Sequence, residues 1–150
     1  MNIHIYTYDP SPSSYYNEGR KEYEKRLSRY CKIKHTLYKT PRQLEKGKSS
    51  LLSSFSTSQN HMVYFIQTGL SDSLTDSLDF ASLIDKQGLT GISSLTYLVG
   101  FPAEDSFLSS FHPDFLSLSR MNIGPSLLSL ILEEQIYRAY RILNHEPYHK

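Results

Sequence analysis

Few of the residues able to do chemistry in this sequence stand at spacings that chemistry requires. Glu134 and Arg138 are four apart in a helical stretch, a spacing typical of a surface ion pair and less often of an acid/base dyad. His145 and His149 are the only close pair among six histidines. Pro147 between them prevents a shared helical face, so no metal site is expected. A phosphate-binding glycine loop, a nucleophile elbow and a glycine-rich dinucleotide fingerprint are all lacking. Twelve tyrosines offer flat faces on which bases stack, although a core and a subunit interface are their commoner places.

Charge is more informative. The net charge is +1, yet residues 20–48 hold eleven of the sixteen Lys/Arg against three acids. Lys21, Lys25 and Arg29 fall four apart, a stripe that can follow successive phosphates. Such a segment favours a polyanionic partner at one place on the surface, and its bland alternative is a solvated helix face.

These residues need a scaffold, and the hydrophobic periodicity supplies one. Asn2–Tyr8 alternates as a strand, stopped by Asp9-Pro10, and Ser13 or Ser14 can cap a helix carrying Tyr16, Tyr23, Leu27 and Tyr30. Strands are expected at Lys32–Tyr38, His61–Gln67, Leu95–Val99 and Phe115–Leu118. Helices are expected at Asp76–Gln87, with Gly88 as its stop, and at Leu127–Leu143, with a short one around Leu51, Leu52 and Phe55. Leu128, Ile131, Leu132, Gln135, Ala139, Ile142 and Leu143 would share one side of the last helix. Apolar central strands alternating with helices predict one α/β domain over residues 1–150, a mainly parallel sheet covered on both faces.

Composition narrows the classes further. Hydrophobic residues are 39% and charged residues 21%, as in a soluble globular chain. No apolar run approaches the ~18 residues of a membrane helix. The start lacks the pattern of a signal peptide, and the lone Cys31 excludes an internal disulfide. A cytoplasmic protein with no membrane and no metal is expected.

The stretch Glu134-Gln135-Ile136-Tyr137-Arg138-Ala139-Tyr140-Arg141-Ile142-Leu143, followed by Glu146-Pro147-Tyr148-His149-Lys150, closely resembles one known ending. It is that of the RlmH family, bacterial 23S (large-subunit) rRNA pseudouridine N3-methyltransferases of the SPOUT superfamily. Tyr15–Lys34, containing Glu22-Tyr23-Glu24-Lys25-Arg26-Leu27, resembles that family's first helix and second strand. Length and element order agree over nearly the whole chain.

The resemblance implies a C-terminal trefoil knot, S-adenosyl-L-methionine as cofactor, rRNA within the ribosome as substrate, and a homodimer in which two subunits complete each site. Cofactor contacts would come from Phe65, Gly100 and the loop Leu118, Ser119, Arg120, Met121, Asn122 and Ile123. Gly100 would let the backbone approach the ligand, and Leu118, Met121 and Ile123 would line an apolar adenine slot. Arg138, Tyr148 and His149 are the catalytic candidates, for RNA positioning first and proton transfer second. Lys21, Lys25, Arg29 and Lys150 would bind RNA.

Three positions depart from the family pattern. Gly100-Phe101 stands where the family reads Gly-Gly, Gly124-Pro125 where it reads Pro-His, and Ser129 where it carries an arginine. Phe101 would crowd the cofactor or cap its adenine. These departures keep a second class open, a catalytically weakened relative binding ribosomes or RNA as an assembly factor.

Overall fold

The computed structural model describes residues 1–69, 73–102, 106–110 and 112–148. Strands β1 (Asn2–Tyr8), β2 (Lys32–Tyr38), β3 (His61–Thr68), β4 (Ser94–Val99) and β5 (Asp114–Ser119) form one sheet, ordered β2-β1-β4-β3-β5. Every pairing is parallel. Parallel strands need long crossovers, which α1 (Asn17–Leu27), α2 (Pro41–Ser56), α3 (Ser77–Leu89) and the single turn α4 (Ser106–Ser109) supply, and α5 (Pro125–Leu143) follows the last strand.

The strand alternation sorts two cores. Ile3, Ile5, Leu95, Tyr97 and Val99 face Leu27 of α1, Phe80, Ala81 and Ile84 of α3, and Leu128, Leu132, Ile136 and Ala139 of α5. On the opposite face Val63, Phe65 and Leu98 meet Leu44 and Leu51 of α2 and Phe107 of α4. β3 and β4 lie inside the sheet with both faces covered, which is why their sequences are nearly continuous in apolar residues.

The α/β sheet and the strand positions agree with the sequence. Three local expectations do not. The helix around Leu51 extends to sixteen residues, because the Thr40 hydroxyl caps the Gln43 amide and Pro41 suits a first helical position. Gly88 lies within α3, and the left-handed residue that follows the helix is Gly91, with φ +87°. The buried stripe of α5 is Leu128, Ser129, Leu132, Glu133, Ile136, Tyr137 and Ala139, while Ile131 and Gln135 lie on a partly exposed side. Helix α5 is clasped by α1 and α3 as well as by the sheet, so it buries a wider arc than one flat face.

Candidate active site

All strands run the same way, so the ends of β3, β4 and β5 present their loops along one edge, where α/β sheets ordinarily bind ligands. The loop after β5 is fastened to the end of β3. The Gly69 amide donates to the Ser119 carbonyl at 3.0 Å, and the Ile123 amide to the Thr68 hydroxyl at 3.3 Å. Within the loop the Met121 amide donates to the Ser119 hydroxyl at 3.0 Å. Gly69 has φ +96°, and Asn122 Oδ1 lies 2.6 Å from where its Cβ would stand. Leu118 is half-buried, whereas Met121 is 76% exposed.

Leu118 also lines a cleft of about 260 Å³ with Thr75, Asp76, Ser77, Phe80, Ile131 and Gln135. Leu74 and Leu78 beside it are exposed. Phe65 lies further back in β3, flanked by Leu98 and Phe115 on the neighbouring strands, with its side chain in the second core. β3 therefore meets the loop through Thr68 and Gly69.

Gly100 has φ +75°, and what approaches its backbone is the chain itself. A Cβ there would overlap the Tyr8 carbonyl and stand 2.8 Å from Pro125 Cγ. The glycine is required by the crossing of β1, β4 and the start of α5. Gly100→Val should accordingly destabilise the fold by at least about 2 kcal/mol, beyond any effect on ligand binding. A melting temperature equal to wild type would contradict this.

Phe101, expected to crowd a cofactor, is buried instead in the second core against Tyr38 and Phe107. Phe101 lies past the end of β4, and the turn at Gly100, with φ +75°, breaks the alternation that would have set it beside Val99 and carries its ring to the α2 face.

A second group of candidates sits at the other end of α5. The Glu134 carboxylate receives Arg138 at 2.9 and 3.1 Å, Tyr148 at 3.2 Å and Gln135 at 2.6 Å. The Arg138 guanidinium lies over the Tyr148 ring at 5.1 Å. Tyr148 packs edge-on against Tyr137, and its hydroxyl is 3.5 Å from that of Tyr23 on α1. Arg141 pairs with Glu146 at 2.5 Å and donates to the Pro147 carbonyl, which folds the tail back on the helix. Burial, then the Tyr23 hydrogen bond and the Glu134 charge, hold the Tyr148 phenol well above its ordinary value. It can donate a hydrogen bond at neutral pH but cannot take up a proton. His149 and Lys150 lie outside the described residues.

Lys21 and Lys25 are exposed on α1, the helix that carries Tyr23, and Arg29 is exposed in the turn that follows it. Tyr23, which meets the tail through Tyr148, is two residues from both Lys21 and Lys25, so the basic stripe faces away from that contact. The cofactor candidates join neither. Thirteen residues separate Pro125 from Arg138, about 20 Å along the helix axis at 1.5 Å per residue.

Sequence reasoning missed a buried polar cluster at the start of α5. The Asp9 carboxylate accepts from the Ser126 amide and hydroxyl, and the Thr7 hydroxyl sits between Ser129 and His35. Arg20 donates to the other His35 nitrogen. Burial, then the Arg20 charge, push His35 down to about 3, so its ring is neutral at physiological pH. One turn further on, Glu133 is fully buried and neither carboxyl oxygen has a hydrogen-bond partner. The sequence signal was Asp9 and Thr7 at a strand end, which read only as strand and breaker.

A five-stranded parallel sheet with the loops after β3, β4 and β5 along its carboxyl edge and an aromatic tail folded back on the last helix defines a small α/β protein with a candidate ligand edge. The chain matches the family described as "Predicted SPOUT methyltransferase" over residues 1–149, and it belongs to that family. It is similar to the ribosomal RNA large subunit methyltransferase H 1 of Thermoanaerobacter sp., 33% identical with all of both chains covered. Proteins named ribosomal RNA large subunit methyltransferase H from Clostridium tetani and Clostridioides difficile are 34% and 33% identical, again over the full length of each.

Proposed function

We propose that this chain methylates N3 of a pseudouridine in large-subunit rRNA, with S-adenosylmethionine as donor and as a homodimer. The observation that carries the reading is the end-to-end similarity to relatives named for large-subunit rRNA methylation. The residues present suit the donor. Gly69 lets the Asn122 side chain close against the end of β3, the loop 119–124 carries backbone amides and carbonyls, and Leu118, Met121 and Ile123 offer apolar side chains. The loop and Pro125, passing beside Gly69 and Gly100, would be the threaded part of a trefoil knot.

The bound donor supplies a methyl group activated on sulfonium, which leaves position and charge complementarity to the protein. Arg138, oriented by Glu134 and stacked on Tyr148, would grip a phosphate or base edge. The proton leaving N3 would pass to solvent, while Tyr148, whose one hydroxyl hydrogen goes to Glu134, would hold the Arg138 guanidinium in place. Neither residue reaches the loop cluster of its own chain. A two-fold dimer in which the partly exposed side of α5 packs antiparallel on its partner would bring Arg138 of one subunit to the donor loops of the other. Exposed Leu74, Leu78 and Met121 around the cleft give such a contact apolar surface. A ribosomal substrate implies cytoplasmic work, and no helix among the described residues is long and apolar enough to cross a membrane.

Calorimetric titration with S-adenosylmethionine, followed by transfer of its labelled methyl group to ribosomes, tests the reading directly. An absence of binding would reject it. The basic stripe has a test of its own. Replacing Lys21, Lys25 and Arg29 with glutamine should weaken ribosome binding and reduce the salt slope by about one unit per lost phosphate contact. Donor affinity should be unchanged. Equal methylation at two salt concentrations would mark the stripe as a solvated face.

A further inference from the structure

Helix α5 begins without a side-chain cap of its own, because the residue before it is Gly124. The end of β1 supplies the missing partners. Asp9 Oδ2 accepts from the Ser126 amide at 3.2 Å and from its hydroxyl at 2.6 Å, placing a carboxylate where the helix dipole is positive. The neighbouring bonds have one consistent direction. A guanidinium only donates, so Arg20 gives its proton to His35 Nδ1, and Nε2 then carries the hydrogen that goes to Thr7 at 2.9 Å. The Thr7 hydroxyl donates to Ser129 at 2.6 Å, and Ser129 donates to the Pro125 carbonyl at 2.9 Å. Thr7 and Ser129 are almost wholly buried, and Asp9 nearly so.

Pro125 is the residue that packs against Gly100, and it closes the loop that begins at Ser119. That loop is tied to the end of β3 at both ends, Ser119 by Gly69 and Ile123 by Thr68, and Ile123 runs on directly into the first turn of α5. We propose that Asp9 and Thr7 are positioning residues for the methyl-donor site. They fix the first turn of α5 and, through it, the shape of loop 119–124. The inference rests on the donor placement proposed above. An untied first turn would leave the loop to be ordered at the expense of binding free energy. Ser129, where the family pattern has an arginine, is a working member of this clamp.

The test uses full-length protein, with S-adenosylmethionine titration and hydrogen exchange measured on wild type, Asp9→Asn, Thr7→Val and Thr7→Ser. Asp9→Asn and Thr7→Val should each weaken donor affinity by about tenfold, the loss of one buried hydrogen bond. Exchange over residues 118–128 should rise in the unliganded variants. Thr7→Ser keeps the hydroxyl and should bind as wild type, and ribosome affinity should be unchanged in all. Faster exchange with unaltered donor affinity would reduce Asp9 and Thr7 to fold stabilisers and overturn the proposal, as would unaltered exchange. If Asp9→Asn does not fold, Ser126→Ala removes one of the same bonds from a half-buried residue, and wild-type donor affinity there also overturns it. A wild type that binds no donor rejects the site reading itself, and the inference with it.

Discussion

Two inactive variants, Met121→Glu and Arg138→Ala, should recover about a quarter of wild-type methyl transfer when their subunits are mixed in equal amounts. Met121, 76% exposed, is the most exposed apolar residue of the proposed donor loop, so a carboxylate there disturbs the loop without entering the core. Arg138 stands about 20 Å away along α5 in the same chain. Each homodimer lacks one half of every site and should lose about a hundredfold or more in activity, since a charge-assisted contact at a reacting centre is strong. Random mixing makes about half the dimers mixed, and each mixed dimer has one intact composite site of two. A site built within one chain predicts no recovery at all. Activity measured against mixing ratio separates these, with the maximum near equal amounts.

Glu133→Gln should stabilise the protein at pH 8 by roughly 3–5 kcal/mol and leave it almost unchanged near pH 4. Burial, then the charge of Glu24, push the Glu133 carboxyl up to about 8 from its ordinary 4.5, against the pull of Arg20. The sign follows from proton binding. Between these two values the folded protein holds a proton on Glu133 that the unfolded chain has released, so stability falls as pH rises through the window. Below about 4.5 both states are protonated and the contribution is fully present; above about 8 it is gone. Glutamine removes this linkage and keeps the shape, and its buried amide replaces a neutral carboxyl that also lacks a partner, so the two proteins match where Glu133 is protonated. Urea unfolding at pH 4, 6 and 8 should show the two curves diverging upward in pH. Parallel curves would contradict the buried, proton-holding carboxyl.

The sequence made the sheet legible because β1 alternates cleanly and β3 and β4 are buried on both faces, a pattern period alone reveals. It could not reveal which arc of α5 is buried. That depends on α1 and α3 closing from two sides, so Ser129 and Glu133 enter the core while Ile131 remains at a cleft. The candidate site was drawn from family motifs, which say nothing of what surrounds each residue. Gly100 carries the positive φ that glycine suits, yet Tyr8 and Pro125 are what fill the space beside it. Phe101 read as crowding the donor or capping its adenine because the turn at Gly100, which breaks the strand alternation and carries it into the second core, is not visible in the hydrophobic pattern. The Asp9–Ser126 and Thr7–Ser129 pairs span 117 and 122 residues, and contacts that distant leave no local trace.

Mass spectrometry of nuclease fragments from large-subunit rRNA, after incubation of ribosomes lacking the modification with the protein and labelled S-adenosylmethionine, tests the proposed reaction most directly. One labelled methyl group should appear on a single pseudouridine, with fragmentation locating it at N3. A methyl group on another base, on small-subunit rRNA or on transfer RNA would contradict that reaction, as would intact ribosomes left unlabelled by a protein that binds the donor.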